Sequence, residues 1–97
     1  MEVTSKALTL AYKKVKNDLK WTHPMLCSKY GLTLPTLRRI SKGKKGNKET
    51  DDYYFCVFVR IISDAYKSDL SHNGGARSKE FMIAFKDILF ALCNVDW

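Results

Sequence analysis

Residues 26–44 read Leu26-Cys27-Ser28-Lys29-Tyr30-Gly31-Leu32-Thr33-Leu34-Pro35-Thr36-Leu37-Arg38-Arg39-Ile40-Ser41-Lys42-Gly43-Lys44, and the fold turns on this stretch. Pro24 suits the first turn of a helix, where its missing N–H is not needed, so a short helix is predicted from about Pro24 to Tyr30. Gly31 stops it, because glycine accepts the left-handed conformation at a helix end. Thr33 is then an N-cap whose hydroxyl accepts an orphan backbone N–H. A second short helix follows from about Leu34 to Lys42, with Pro35 in its first turn. Gly43 ends it, and Lys44-Lys45-Gly46-Asn47-Lys48 forms a basic loop. Two helices that cross steeply must touch near their turn, which requires a small side chain four residues before the glycine. Cys27 stands there. Leu26 and Tyr30 supply the apolar face, Leu32 plugs the turn, and Leu37 and Ile40 anchor the second helix.

Three further helices flank this pair. Val3, Ala7, Leu8, Ala11, Val15 and Leu19 recur at helical spacing, which predicts a helix over about Val3–Lys20. Lys6, Lys13, Lys14, Lys16 and Lys20 take much of its other side. Its apolar face lacks the bulky Trp and Phe of a helix lying in a membrane surface, so it reads as core-facing with a solvated basic side. A helix from a Thr50 cap to about Lys67 follows, with Asp51 and Asp52 beside its positive end. Tyr53–Val59 is aromatic and β-branched, which favours a strand. The capped start and the Tyr54, Phe58, Ile61, Ala65 spacing favour helix, and a lone strand would lack a partner. The last helix runs from about Ser78, a candidate cap, to Asn94. Phe81, Phe85, Ile88, Leu92 and Val95 form its main apolar stripe, with Met82 and Leu89, and Ile83, Phe90 and Trp97, beside it. That surplus predicts deep burial or a second copy of the chain.

The 97 residues suffice for one domain, taken as 1–97, and the 45% apolar content is that of a globular protein. The net charge of +7 is unevenly placed. Residues 1–48 carry twelve basic residues and two acids, a net of +10; residues 49–97 carry five basic residues and eight acids, a net of −3. A basic half points to a polyanion, nucleic acid before an anionic membrane. No secretory signal or membrane span is visible. Cys27, Cys56 and Cys93 are widely separated, form no CxxC and share no metal-ligand spacing with His23 and His72. They read as buried thiols of a reduced, cytoplasmic protein that holds no metal or cofactor. No phosphate loop or nucleophile–base pair supports an enzyme.

The quoted segment resembles the helix-turn-helix of the Cro and lambda-repressor-like DNA-binding family. That family usually has Leu-Ala, three variable residues, Gly-Val/Ile-Ser/Thr, then Ser/Thr-Leu/Ile, Arg/Lys-Ile and a closing Gly-Lys. Two positions depart from it: Ser41 replaces a usual Glu, and Leu34 replaces a polar base reader. The resemblance implies an all-α, compact five-helix domain and a DNA-binding transcriptional regulator. Residues 1–48 would face duplex DNA, and 49–97 would pack and pair.

In that family the recognition helix enters the major groove, here residues 34–42. Arg39 is the first choice for a bidentate guanine contact, with Arg38, Pro35 and Leu34 beside the base edges. Leu34 touches a thymine methyl or turns to the core. Thr22, His23, Thr36, Lys42, Lys44, Lys45 and Lys48 are the phosphate contacts, Thr22 and His23 through a helix N-terminus. Ile83, Phe90 and Trp97 are the candidate homodimer residues. The alternative is a protein-interaction module on the same fold, an antitoxin or adaptor; an RNA-binding role is a third reading, without a recognition signature of its own.

Overall fold

Thr4 sets the start of the first helix: its hydroxyl accepts the Ala7 N–H (3.1 Å) and donates to the Ala91 carbonyl near the other end of the chain (3.1 Å). The computed structural model describes residues 3–93. Helix α1 spans Ser5–Lys13 and continues into a π-helical turn, Lys14–Asp18, rather than running unbroken from Val3 to Lys20. The Leu19 N–H reaches back to the Lys14 carbonyl (3.2 Å), and the Trp21 N–H to that of Val15 (3.2 Å). Lys20 closes this turn at φ 62°, a left-handed conformation normally left to glycine.

Helix α2, His23–Tyr30, is capped by Thr22, whose hydroxyl accepts the Met25 N–H (3.3 Å), and Pro24 sits in its first turn. Gly31 ends it at φ 68°, as its position in the sequence predicted. Helix α3 covers Leu34–Ser41, and Lys42 is its C-cap. Helix α4 covers Lys48–His72. Its cap is Asn47, whose side chain accepts the Thr50 N–H (3.2 Å), so Thr50 lies inside the helix instead of capping it. The aromatic run Tyr53–Val59 is helical. Its β propensity gives way because one helical face buries Tyr54, Phe58, Ile61 and Ile62 together. Helix α5 covers Ser78–Cys93. Ser78 is its first residue, and the Arg77 N–H ahead of it donates to the buried Asp69 carboxylate (3.0 Å). The expected C-terminal boundary at Asn94, and Val95, lie outside the described residues.

The fold is all-α: five helices and no strand among the described residues. Helix α1 is central and packs on α3, α4 and α5. Leu8 and Ala11 of α1 and Val15 of the π turn share one core with Leu26, Leu32, Leu37, Ile40, Phe58, Ile61, Ile62, Phe81 and Ile88. Phe58 is fully buried and meets the Tyr12 and Tyr54 rings edge-on (5.9 and 6.3 Å between centroids). The cysteines depart from expectation: Cys27 is half-buried, and Cys56 and Cys93 are exposed. Apolar neighbours in sequence placed them inside, but helical periodicity turns Cys56 away from the face that carries Tyr54 and Phe58.

Candidate nucleic-acid interface

The α2–α3 pair is held by the start of α4. The Tyr54 hydroxyl accepts the Thr33 N–H at the head of α3 (2.8 Å), and the Tyr53 hydroxyl donates to the Tyr30 carbonyl at the end of α2 (3.0 Å). Two adjacent tyrosines therefore fix both sides of the Gly31-Leu32-Thr33 turn. Thr33 occupies the cap position of α3, but its hydroxyl donates to the Thr36 hydroxyl (3.0 Å) and takes no backbone N–H. Its own N–H is satisfied by Tyr54 instead.

A second device fixes the loop after α3. Arg39 does not join the outward stripe expected of a base reader. Its guanidinium pairs with the Asp51 carboxylate (2.5 Å) and donates to the Lys44 carbonyl (2.9 Å), while Asp51 also accepts the Gly46 N–H (3.2 Å). Its side chain is 23% exposed and that of Asp51 10%. The guanidinium lies flat over Gly46, where any Cβ would overlap it. Charge composition hid this clasp, because an arginine at position 39 faces inward only once α4 delivers Asp51.

The other anticipated contacts fall as follows. Pro35, Arg38 and Lys42 are exposed, and Leu34 and Thr36 half-buried. Lys44, Lys45 and Lys48 are exposed; Lys45 and Lys48 share a groove with Thr4, Ser5 and Asp52. Thr22 is exposed and His23 half-buried at the head of α2. Ile83 is exposed on α5, Phe90 is half-buried with the Lys86 ammonium 5.4 Å from its ring centre, and Trp97 lies outside the described residues.

Four cations join this surface that were read only as a solvated side of the first helix. Lys6 and Lys13 line a groove with Thr9 and Gly43, just beyond α3. The Thr9 hydroxyl anchors this approach by donating to the Ile40 carbonyl (2.9 Å). Lys16 and Lys20 line a hollow with Thr22, His23 and Pro24 at the head of α2. Their offsets of seven, three and four residues trace one helical stripe, a signal present in the sequence. Lys14, off that stripe, is turned instead to Asp18 and Asp87 (3.9 and 3.7 Å). The ion pairs among the described residues take up Lys14, Arg39 and Arg77, and none involves the α1 stripe, Arg38, Lys42, Lys44 or Lys45.

His23 lies among these cations. Its Nε2 is 2.7 Å from the Tyr12 hydroxyl. Burial first, then the charges of Lys16 and Arg38, hold the imidazole below its ordinary value of 6.5. An unpaired cationic surface of this kind attracts a polyanion and raises its local concentration. No group of three or more His, Cys, Asp or Glu is placed to hold a metal among the described residues, and no helix there is long and apolar enough to cross a membrane. Comparisons with family models, curated proteins and solved structures gave no match to this chain.

Proposed function

We propose that the chain is a duplex-DNA-binding transcriptional regulator in which α2 and α3 act as a helix-turn-helix of the Cro and lambda-repressor-like kind. The observation that carries this reading is the convergence of exposed, unpaired cations on one pair of helices and the loop beyond it. Arg38 and Lys42 lie along α3, Lys44 and Lys45 follow it, and the lysines of α1 and its π turn border the end of α3 and the head of α2. In this reading α3 enters the major groove, and Arg38 takes the guanine-reading role first assigned to Arg39, with Pro35 and the exposed part of Leu34 against neighbouring bases. Arg39 holds the phosphate-binding loop in place. Thr22, Thr36, Lys42, Lys44, Lys45 and Lys48 approach phosphates.

A second copy of the chain belongs to the same proposal: it would present two recognition helices about one DNA turn apart. Ile83, together with Met82 and Leu89, is exposed on α5 and supports that pairing. The same exposed residues also support the alternative, an antitoxin or adaptor whose partner is a protein. Selection of duplexes from a random DNA pool at two salt concentrations separates the readings. A regulator enriches a sequence consensus and binds with a steep negative salt slope. A pool with no consensus, bound weakly and without that slope, rejects the DNA reading in favour of the adaptor.

A further inference from the structure

We infer that duplex binding by this protein is linked to proton uptake at His23, because the imidazole lines one hollow with Lys16, Lys20 and the Thr22 cap at the head of α2, the place of one backbone phosphate. The inference rests on the DNA-binding reading above.

Three elements face the ring. From α1 comes the Tyr12 hydroxyl, 2.7 Å from Nε2, and Tyr12 is itself buried. From the π turn comes Lys16, whose charge acts on the ring together with that of Arg38 on α3, and Lys20 lines the same hollow; all three are cationic. Helix α2 contributes its own N-terminus, capped by Thr22. No acid stands among these groups to favour the imidazolium. In the free protein the site therefore carries excess positive charge, and His23 completes it by staying neutral.

A phosphate entering the hollow beside Lys16 and Lys20 reverses that balance. Its negative charge offsets both neighbours and favours the imidazolium, so a solvent proton moves onto the ring. The Tyr12 contact survives by changing direction. A neutral Nε2 accepts from the hydroxyl, whereas a protonated Nε2 donates to the phenol oxygen. Tyr12 thus fixes the ring in both states and aims its other nitrogen without moving. Binding tightens as the pH falls, by up to about tenfold per pH unit between the free and bound values of the group.

The test measures affinity for a short duplex from about pH 8 to 6 at constant ionic strength, for the wild type, His23→Gln and His72→Gln, together with NMR titration of His23 free and bound. The expected result is tighter binding at acid pH in the wild type and His72→Gln, a flatter profile in His23→Gln, and a His23 midpoint raised in the complex. Equal pH profiles for the wild type and His23→Gln, or a midpoint unchanged or lowered on binding, overturn the linkage while leaving DNA binding standing. Absence of duplex binding at every pH overturns the linkage and the DNA-binding reading together. If His23→Gln fails to fold, the NMR midpoints of the wild type decide alone.

Discussion

At the scale of single residues, Arg38 and Arg39 show what a sequence leaves open. Both are adjacent cations on a short helix, and only the fold separates their roles. Arg39 is turned onto Asp51 and the Lys44 carbonyl, while Arg38 stays exposed. Arg39→Ala is expected to cost about 1–3 kcal/mol of stability, since it strips a partly buried carboxylate of its partner. Arg38→Ala should leave stability within about 0.5 kcal/mol of the wild type and weaken specific duplex binding by about 1–3 kcal/mol. Urea denaturation and binding isotherms on the two variants read these effects separately, and a reversed pattern refutes the assignment. Gly46→Ala evicts the same guanidinium, so its cost and that of Arg39→Ala should be strongly non-additive in a double-mutant cycle. His23 gives a second residue-scale prediction. Its folded value lies below the unfolded one, so the unfolded chain binds more protons as the pH falls through 6.5. The stability that His23 contributes is fully present above that value and is lost at lower pH. A thermal melt series across this window should therefore slope downward with acid, less so in His23→Gln.

At the scale of elements, the types were readable, and so were the boundaries that glycine and proline mark, such as Gly31 after α2, but not the others. Every helix drawn from periodicity is present, because apolar residues three and four apart on Ile40, Phe58 or Ile88 mark a face that must be buried. The misplaced boundaries of α4 were set by side chains of undistinguished sequence context. Asn47 rather than Thr50 caps α4, adding residues at its start, and α4 runs past Lys67 to His72 because the Asp69 region packs against the head of α5. The end of α1 was misjudged for another reason. Val15 and Leu19 keep helical spacing, but the chain widens into a π turn and closes on Lys20 at φ 62°. An L-residue with a side chain pays for that conformation, and glycine does not. Lys20→Gly is expected to raise stability by about 0.5–1 kcal/mol, after the added entropy of the unfolded glycine is offset. A higher urea midpoint in Lys20→Gly checks it; a lower one shows that the lysine stem contributes packing that outweighs the strain.

At the scale of the whole molecule, the division of charge into +10 and −3 was legible from the start, and its spatial meaning was not. The basic half is not one face by sequence: α1 and α3 are separated by α2 and become neighbours only through the packing of α1 across the bundle. That packing places Lys6 and Lys13 beside Gly43, and Lys16 and Lys20 beside His23, so the lysines of α1 and its π turn border the end of α3 and the head of α2. Three acids of the second half are engaged in holding the fold, Asp51 on Arg39, Asp69 on the Arg77 N–H and Asp87 on Lys14, while Glu49, Asp64 and Glu80 are exposed. Exposed cations outside the ion pairs thus line α3 and the loop beyond it, and the salt response tests the arrangement as a whole. Lys44 and Lys45 project from the loop that the Arg39–Asp51 pair holds, and the loop uses the Lys44 carbonyl, not its ammonium. Replacing both lysines by alanine therefore keeps the fold and its melting temperature. Each phosphate contact contributes about 0.9 to the slope of log affinity against log salt. Loss of the pair should make that slope shallower by about 1.8 and weaken binding to specific and unrelated duplexes alike. An unchanged slope places these lysines away from the DNA backbone and rejects the docking of α3 with the loop beyond it.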